Sequence, residues 1–191
     1  MSSTEESDLW VFGYGSLMWR PGFRYLDSSA ATLQGYHRSF CAYSHYYRGT
    51  PESPGLVLGL DKGGSCLGQA FRVASARRKE VVAYLDEREL GNYAYQPAFL
   101  PIALDRVGGT ETVTTYTFVA DPTHPLYTGD LGIERSASLI MGASGVAGLN
   151  RDYLINTVRH LEQLGFIEDE LHALLQEVES RTGLIEVGSG I

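Results

Sequence analysis

Little in this sequence points to a metal, a redox centre or a membrane. Only two cysteines occur, Cys41 and Cys66, and they form no C-x-x-C pair. Lone thiols of this kind pack as small hydrophobes, so reduced, buried cysteines are expected. The five histidines, His37, His45, His124, His160 and His172, are scattered, without H-E-x-x-H or His-x3-His spacing. No metal and no cofactor is expected from such a set. No stretch approaches the roughly 18 apolar residues of a membrane span. The opening MSSTEESD is acidic and polar, unlike the basic flank and apolar stretch of a signal peptide. A cytoplasmic protein is therefore expected, with residues 1–8 a disordered tail. Positive charge is also scarce: 15 Lys and Arg stand against 23 Asp and Glu, a net charge of −8. Nucleic acid and anionic membranes recruit basic patches, so neither is an expected partner. An anionic substrate has to find local donors.

What is present suits one globular domain. The chain has 191 residues, 43% of them hydrophobic, enough for a sizeable core. A single domain is expected over 9–183, with 184–191 a C-terminal tail. Strand patterns occur at 9–14, 32–44, 55–61, 66–73, 95–104 and 112–120. The KGGS turn at 62–65 predicts a hairpin between the third and fourth of these. Pro97 and Pro101 predict an edge or bulged strand at 95–104. Helical spacing covers 76–90, closed by Gly91, then a short helix at 136–143. Two more stripes follow: Tyr153, Leu154, Val158, Leu161 and Leu164, ended by Gly165, and Leu171, Leu174, Leu175 and Val178, ended by Gly183. Strands and helices do not alternate strictly, which predicts an α+β fold with a mixed barrel or sheet of about six strands. Oligomeric state leaves no signal.

Residues 10–19 read WVFGYGSLMW, a strand that runs into two glycines and a serine. The nucleophile elbow G-x-S-x-G fails, because Tyr14 and Met18 stand where its glycines belong. The dinucleotide fingerprint fails too, since Met18 takes the place of its third glycine. Two readings remain. A bare-backbone turn can aim several N–H groups at an anion or oxyanion, or it can simply need glycine torsions.

The helix at 76–90 carries the second anomaly. Its stripe of Val82 and Leu85 continues to Glu89, which puts a carboxylate on the core-facing side. Asp86 lies three residues earlier. Apolar surroundings and a second carboxylate raise a carboxyl pKa, which suits a general acid/base. Against this, Glu89 sits in the last turn, where it can turn to solvent or pair with Arg88. Glu87 and Arg88 read as solvated.

Taken together, several blocks resemble the ChaC-type γ-glutamylcyclotransferases. They are VFGYGSLMW (11–19), RGTPESPG (48–55), Gly68-x-Ala70-Phe71-Arg72, YLDERELGNY (84–93) and SGVAGLNRDYL (144–154). The resemblance implies a γ-glutamylcyclotransferase-like mixed barrel flanked by helices. It implies that Tyr14, Gly15, Ser16 and Leu17 bind the γ-glutamyl group and that Glu89 is the acid/base. It implies an enzyme that cleaves a C–N bond in the manner of a lyase. Glutathione is the implied substrate, released as 5-oxoproline and cysteinylglycine. Because the substrate's own amine is the nucleophile, no cofactor is required. Arg48, in a proline-flanked loop, reads either as a clamp for a substrate carboxylate or as a surface arginine. Tyr127 is a further candidate hydrogen-bonding residue. The sequence departs from the family at Leu90, Asn92 and Tyr47, where Lys, Gly and His are usual. These positions bear on the leaving group, so other γ-glutamyl amino acids or amines are the alternative substrates. A non-catalytic module that binds a γ-glutamyl metabolite is the alternative function.

Overall fold

The structure is a computed structural model that describes residues 7–91 and 93–188. Five strands close into a barrel in the order β1 (Leu9–Gly13), β3 (Gly55–Val73), β2 (Asp27–Ser44), β4 (Tyr95–Arg106), β5 (Gly109–Ala120). β1 runs parallel to β5, pairing Trp10 with Thr115 and Val11 with Tyr116, and antiparallel to β3 from Leu9–Val73 to Gly13–Gln69. The barrel is therefore mixed, as an α+β fold implies.

Its strand count is five rather than six, and the whole difference lies in one segment. Residues 55–73 form one strand, not the two arms of a hairpin. Leu26 N donates to Arg72 O, and His37 Nδ1 meets Gly63 O at 3.0 Å. As numbers rise along β2 they fall along β3, so these two strands are each other's antiparallel partners. Gly63 and Gly64, with φ of +104° and +65°, make a local excursion inside the strand rather than reversing it. Glycine is suited to either job.

β4 pairs with β5 along its full length, and with β2 at Ala31–Leu104 and Thr32–Ala103. Both prolines precede the β2 contact, which agrees with their lack of a backbone N–H to donate to a ladder.

The described residues group into two compact units that interleave along the chain. The first holds residues 1–38 and 59–121: β1, β4, β5, most of β3 and the first part of β2. It also holds α1 (Arg78–Leu90), which a short 3-10 turn at Ser75–Arg77 precedes. Val81 and Leu85 of α1 are buried with Leu9 and Val11 of β1, Val73 of β3 and Tyr116 and Phe118 of β5. Leu17, from the turn after β1, belongs to the same cluster. Burying a leucine of this kind is worth roughly 1.5–3 kcal/mol.

The second unit holds residues 39–58 and 122–191. Helices α2 (Ile133–Gly142), α3 (Asn150–Gln163) and α4 (Asp169–Gly188) pack on one another, with a small pair β6 (Ser144–Gly145) and β7 (Gly148–Leu149) between α2 and α3 in sequence. Of the expected stripes, Leu154, Val158, Leu161, Leu171, Leu174 and Val178 are buried.

Two expected boundaries move. α4 runs through Gly183 to Gly188: one interior glycine costs only about 1 kcal/mol, too little to end a helix. At the other end, Asp8 is tied down rather than frayed. Its carboxylate accepts from Ser75 N at 3.0 Å and pairs with Arg72 at 3.4 Å. Residues 1–6 and 189–191 of the expected tails lie outside the described residues.

Candidate active site

The turn after β1 is anchored at its edges and exposed at its tip. Tyr14 and Leu17 are buried, Gly15 is half-buried and Ser16 is exposed. Ser16–Met18 form one turn of 3-10 helix with Gly15 at its N-cap. Met18 N donates to Gly15 O at 2.9 Å and Arg20 N to Ser16 O at 2.8 Å. A helix start leaves its first N–H groups without partners inside the helix. The amides of Gly15, Ser16 and Leu17 have no hydrogen-bond acceptor among the described residues.

Neither Gly13 nor Gly15 has a positive φ, so left-handed torsions are not what keeps this turn bare. Space is a better reason: a Cβ on Gly13 would stand 3.0 Å from Leu17 Cβ. The bare strand end lets Leu17 fold back into the core beside it.

Two arginines hold the turn, and the sequence reading assigned a role to neither. Arg38 is 2% exposed. Its Nε donates to Tyr14 O at 2.6 Å, and Nη2 reaches Leu67 O and Met18 Sδ. The available signal was a cation in the middle of an aromatic strand, since buried arginine is rare without hydrogen-bonding work to do.

Arg88 was read as solvated, and the structure corrects that. It is half-buried, with Nη2 donating to Ser16 Oγ at 2.8 Å. Nη1 donates to Arg20 O at 2.7 Å and to Tyr84 Oη at 3.1 Å. The Ser16 and Arg20 acceptors belong to a turn some seventy positions away, so helical periodicity carried no sign of them; Tyr84 lies four positions back on the same helix face.

Glu89 follows Arg88 in the last turn of α1, one helical step past Leu85. Its side chain is 15% exposed, and Oε1 lies 3.2 Å from Arg88 Nε. Burial pushes its pKa above the ordinary glutamate value, while the Arg88 guanidinium opposes the rise. The expected direction holds, but the expected second cause does not. Asp86 makes no contribution to that rise; its carboxylate instead accepts a hydrogen bond from Tyr116 Oη of β5. Burial first, then Asp86, push the Tyr116 phenol far above its usual range. α1 does end at Leu90 with Gly91 at the cap, but Gly91 keeps a helical φ of −70°.

The structure thus brings Tyr14–Leu17 and Glu89 together in one unit, with Arg88 bridging them. Glu87 is exposed beside them, and so is Leu90. Asn92 lies outside the described residues.

Arg48 and Tyr127 lie in the second unit. Arg48 Nη1 donates to Ala147 O at 2.6 Å and Leu149 O at 3.3 Å, and its guanidinium lies over the Tyr153 ring at 5.2 Å. Its backbone N–H donates to Ser44 Oγ at 3.0 Å. Nε and Nη2 have no acceptor among the described residues. Asn150 pins the same loop: its side-chain amide exchanges bonds with Leu56 N at 2.7 Å and Leu56 O at 2.8 Å. Tyr47 packs edge-on against Tyr46. Tyr127 is half-buried and forms a bridge with Ala42. Cys41 and Cys66 are buried thiols and form no disulfide. Among the described residues, no three His, Cys, Asp or Glu side chains are grouped to hold a metal.

Residues 9–181 match the family of ChaC-like proteins. The chain is 37% identical to the glutathione-specific γ-glutamylcyclotransferase of Escherichia coli over 175 residues, covering 92% of this chain and 74% of that protein. It is 33% identical to human glutathione-specific γ-glutamylcyclotransferase 1 over 162 residues, covering 82% and 71%. Its fold is similar to the crystal structure of a yeast γ-glutamyl cyclotransferase specific to glutathione. The TM-score is 0.81 at 22% identity, over 92% of this chain and 97% of that one.

Proposed function

The chain belongs to the ChaC-like family, and on that premise we propose that it cyclises the γ-glutamyl group of glutathione, releasing 5-oxoproline and cysteinylglycine, with Glu89 as the acid/base. One observation carries this reading. A carboxylate with raised proton affinity is linked through Arg88 to a turn whose Gly15, Ser16 and Leu17 amides have no hydrogen-bond acceptor among the described residues.

The chemistry follows from the substrate. The glutamyl α-amine attacks the γ-carbonyl carbon of the same residue, and a five-membered lactam forms as the peptide C–N bond breaks. Nucleophile and electrophile are already joined, so holding the chain in its closing conformer supplies several kcal/mol, within the range of intramolecular reactions. An amine with a pKa of about 8 arrives largely as ammonium. The Glu89 carboxylate binds that ammonium and removes a proton, freeing the lone pair. It then returns that proton to the departing nitrogen of cysteinylglycine as the C–N bond breaks, and the second proton of the attacking nitrogen passes to solvent, leaving the lactam N–H. A carboxyl group of raised pKa serves both steps better than an ordinary one.

The amides of Gly15, Ser16 and Leu17 suit the other end of the problem, donating to negative charge on the glutamyl group or on the developing oxyanion. Ser16 is not the nucleophile. Its Oγ already accepts from Arg88, which withdraws rather than supplies electron density.

Arg48 is proposed as a contact for a substrate carboxylate, because Nε and Nη2 remain available while Nη1 fixes the group. Tyr127 is proposed as a hydrogen-bonding contact. The cytoplasmic setting belongs to the same reading: two buried thiols that form no disulfide suit a reducing compartment. No described helix is long and apolar enough to cross a membrane.

The deciding experiment incubates purified protein with glutathione and measures 5-oxoproline and cysteinylglycine. Equal release of the two supports the proposal. Turnover of other γ-glutamyl amino acids or amines, but not glutathione, moves the substrate assignment. Glutathione binding without turnover of any γ-glutamyl compound leaves a binding module and refutes the enzymatic reading.

A further inference from the structure

We propose that Arg88 is the positioning residue that couples the γ-glutamyl-binding turn to the proton-transferring carboxylate, fixing both from a single guanidinium. The proposal rests on the reading of Glu89 as acid/base and extends it to a residue that touches no substrate.

The geometry uses all three nitrogens of Arg88. Nη2 donates to Ser16 Oγ at 2.8 Å. Nη1 donates to Arg20 O at 2.7 Å, with Pro21 O at 3.4 Å and Tyr84 Oη at 3.1 Å. Nε lies 3.2 Å from Glu89 Oε1. Neighbouring residues on a helix normally point apart. Here the acceptors of the 16–21 segment hold the Arg88 side chain over the end of α1, where Nε meets the carboxylate of the next residue.

A planar fork fixes the angle between its donors. The orientation of Glu89 is thereby referenced to Ser16, one of the residues proposed to grip the substrate. Lysine reproduces the charge but not the fork.

The other charged and titratable groups around this site are engaged elsewhere or are uncharged in kind. Asp86 on α1 is bonded to Tyr116 of β5. Arg38 is bonded to the Tyr14 and Leu67 carbonyls. Tyr84 of α1 itself and Tyr95 of β4 also pack against the cluster that holds Val81 and Leu85. Arg88 is the cation that opposes the burial-driven rise in the proton affinity of Glu89.

The test measures 5-oxoproline release from glutathione by the full chain across pH, for wild type, Arg88→Gln and Arg88→Lys. Glu87→Gln is the control on the exposed face. Arg88→Gln is expected to lower kcat on the order of 10²-fold, the cost of a misplaced catalytic group. Its acid limb in kcat/KM should move to higher pH, because the cation that lowers the Glu89 pKa is gone. Arg88→Lys should bring the limb back toward wild type while kcat stays low, a split that a merely structural role does not produce. If Arg88→Gln does not fold, Arg88→Lys carries the test through kcat alone.

Arg88→Gln with an unmoved acid limb and kcat within about threefold of wild type, far less than a misplaced group costs, overturns the proposal while leaving the enzyme intact. So does Arg88→Lys with wild-type kcat. Wild-type protein that releases no 5-oxoproline overturns instead the reading on which the proposal stands, and the two failures are distinct.

Discussion

Tyr116 of β5 donates its phenolic hydrogen to the carboxylate of Asp86 on α1, three residues ahead of Glu89. This bond fastens the helix that carries the proposed acid/base to the barrel wall. Both Tyr116→Phe and Asp86→Asn are expected to destabilise the fold by about 1.5–3 kcal/mol, the usual range for a hydrogen bond to a charged group. The double variant should cost clearly less than the sum, since both changes remove the same bond. Urea unfolding of the four proteins measures the coupling, and additive losses would show that the bond contributes nothing.

Glu89→Gln should keep the fold and abolish 5-oxoproline release, whereas Glu87→Gln should leave it near wild type. Gln matches the shape of the side chain but cannot take a proton. Circular dichroism checks the fold, and product assay checks the turnover. Near-normal turnover by Glu89→Gln would remove Glu89 from the mechanism.

The pH dependence of stability has a definite sign. Burial raises the Glu89 pKa in the folded state above its unfolded value. Its contribution to stability is therefore fully present below the ordinary glutamate pKa and is lost as pH rises through the raised one. Glu89→Gln should melt at or above the wild-type temperature at neutral pH. That advantage should shrink as pH falls toward the ordinary glutamate range. A melting difference that is flat with pH would mean the carboxyl is not perturbed.

Leu85 is fully buried where α1, β1, β5 and the turn residue Leu17 meet. Leu85→Ala should cost about 2–5 kcal/mol by leaving a cavity there. It should also lower kcat, since the same contact seats Glu89 one helical step away. Denaturant midpoints and kinetics on folded protein separate the two effects.

Arg48→Ala should raise KM for glutathione, with a smaller change in kcat, if Nε and Nη2 meet a substrate carboxylate. The loop should also loosen, because the bonds to Ala147 O and Leu149 O disappear. Initial-rate kinetics over a range of glutathione concentrations checks this, and an unchanged KM would return Arg48 to a structural role.

Where the chain forms helix or strand was written largely in local pattern. The stripe of Val82, Leu85 and Glu89 marked α1 and put its odd carboxylate on the inner face, because helical periodicity is a property of neighbouring residues. The failed serine and nucleotide motifs at Gly13–Met18 were equally local, and a backbone turn does stand there. Local pattern failed where partners lie far apart in sequence. Gly63–Gly64 has the torsions of a turn, yet pairing of 55–73 with β2 makes one strand of it. Asp86 looked like a second carboxylate acting on Glu89, until β5 supplied Tyr116. Arg88 looked solvated, until the turn at Ser16–Pro21 supplied its acceptors. Sequence by itself determined most of the elements, the inward-facing glutamate and the bare turn, since each depends on spacing along the chain. Tertiary structure alone decided which polar group holds which, since a hydrogen bond depends on distance in space, and barrel closure brings together residues that no periodicity connects.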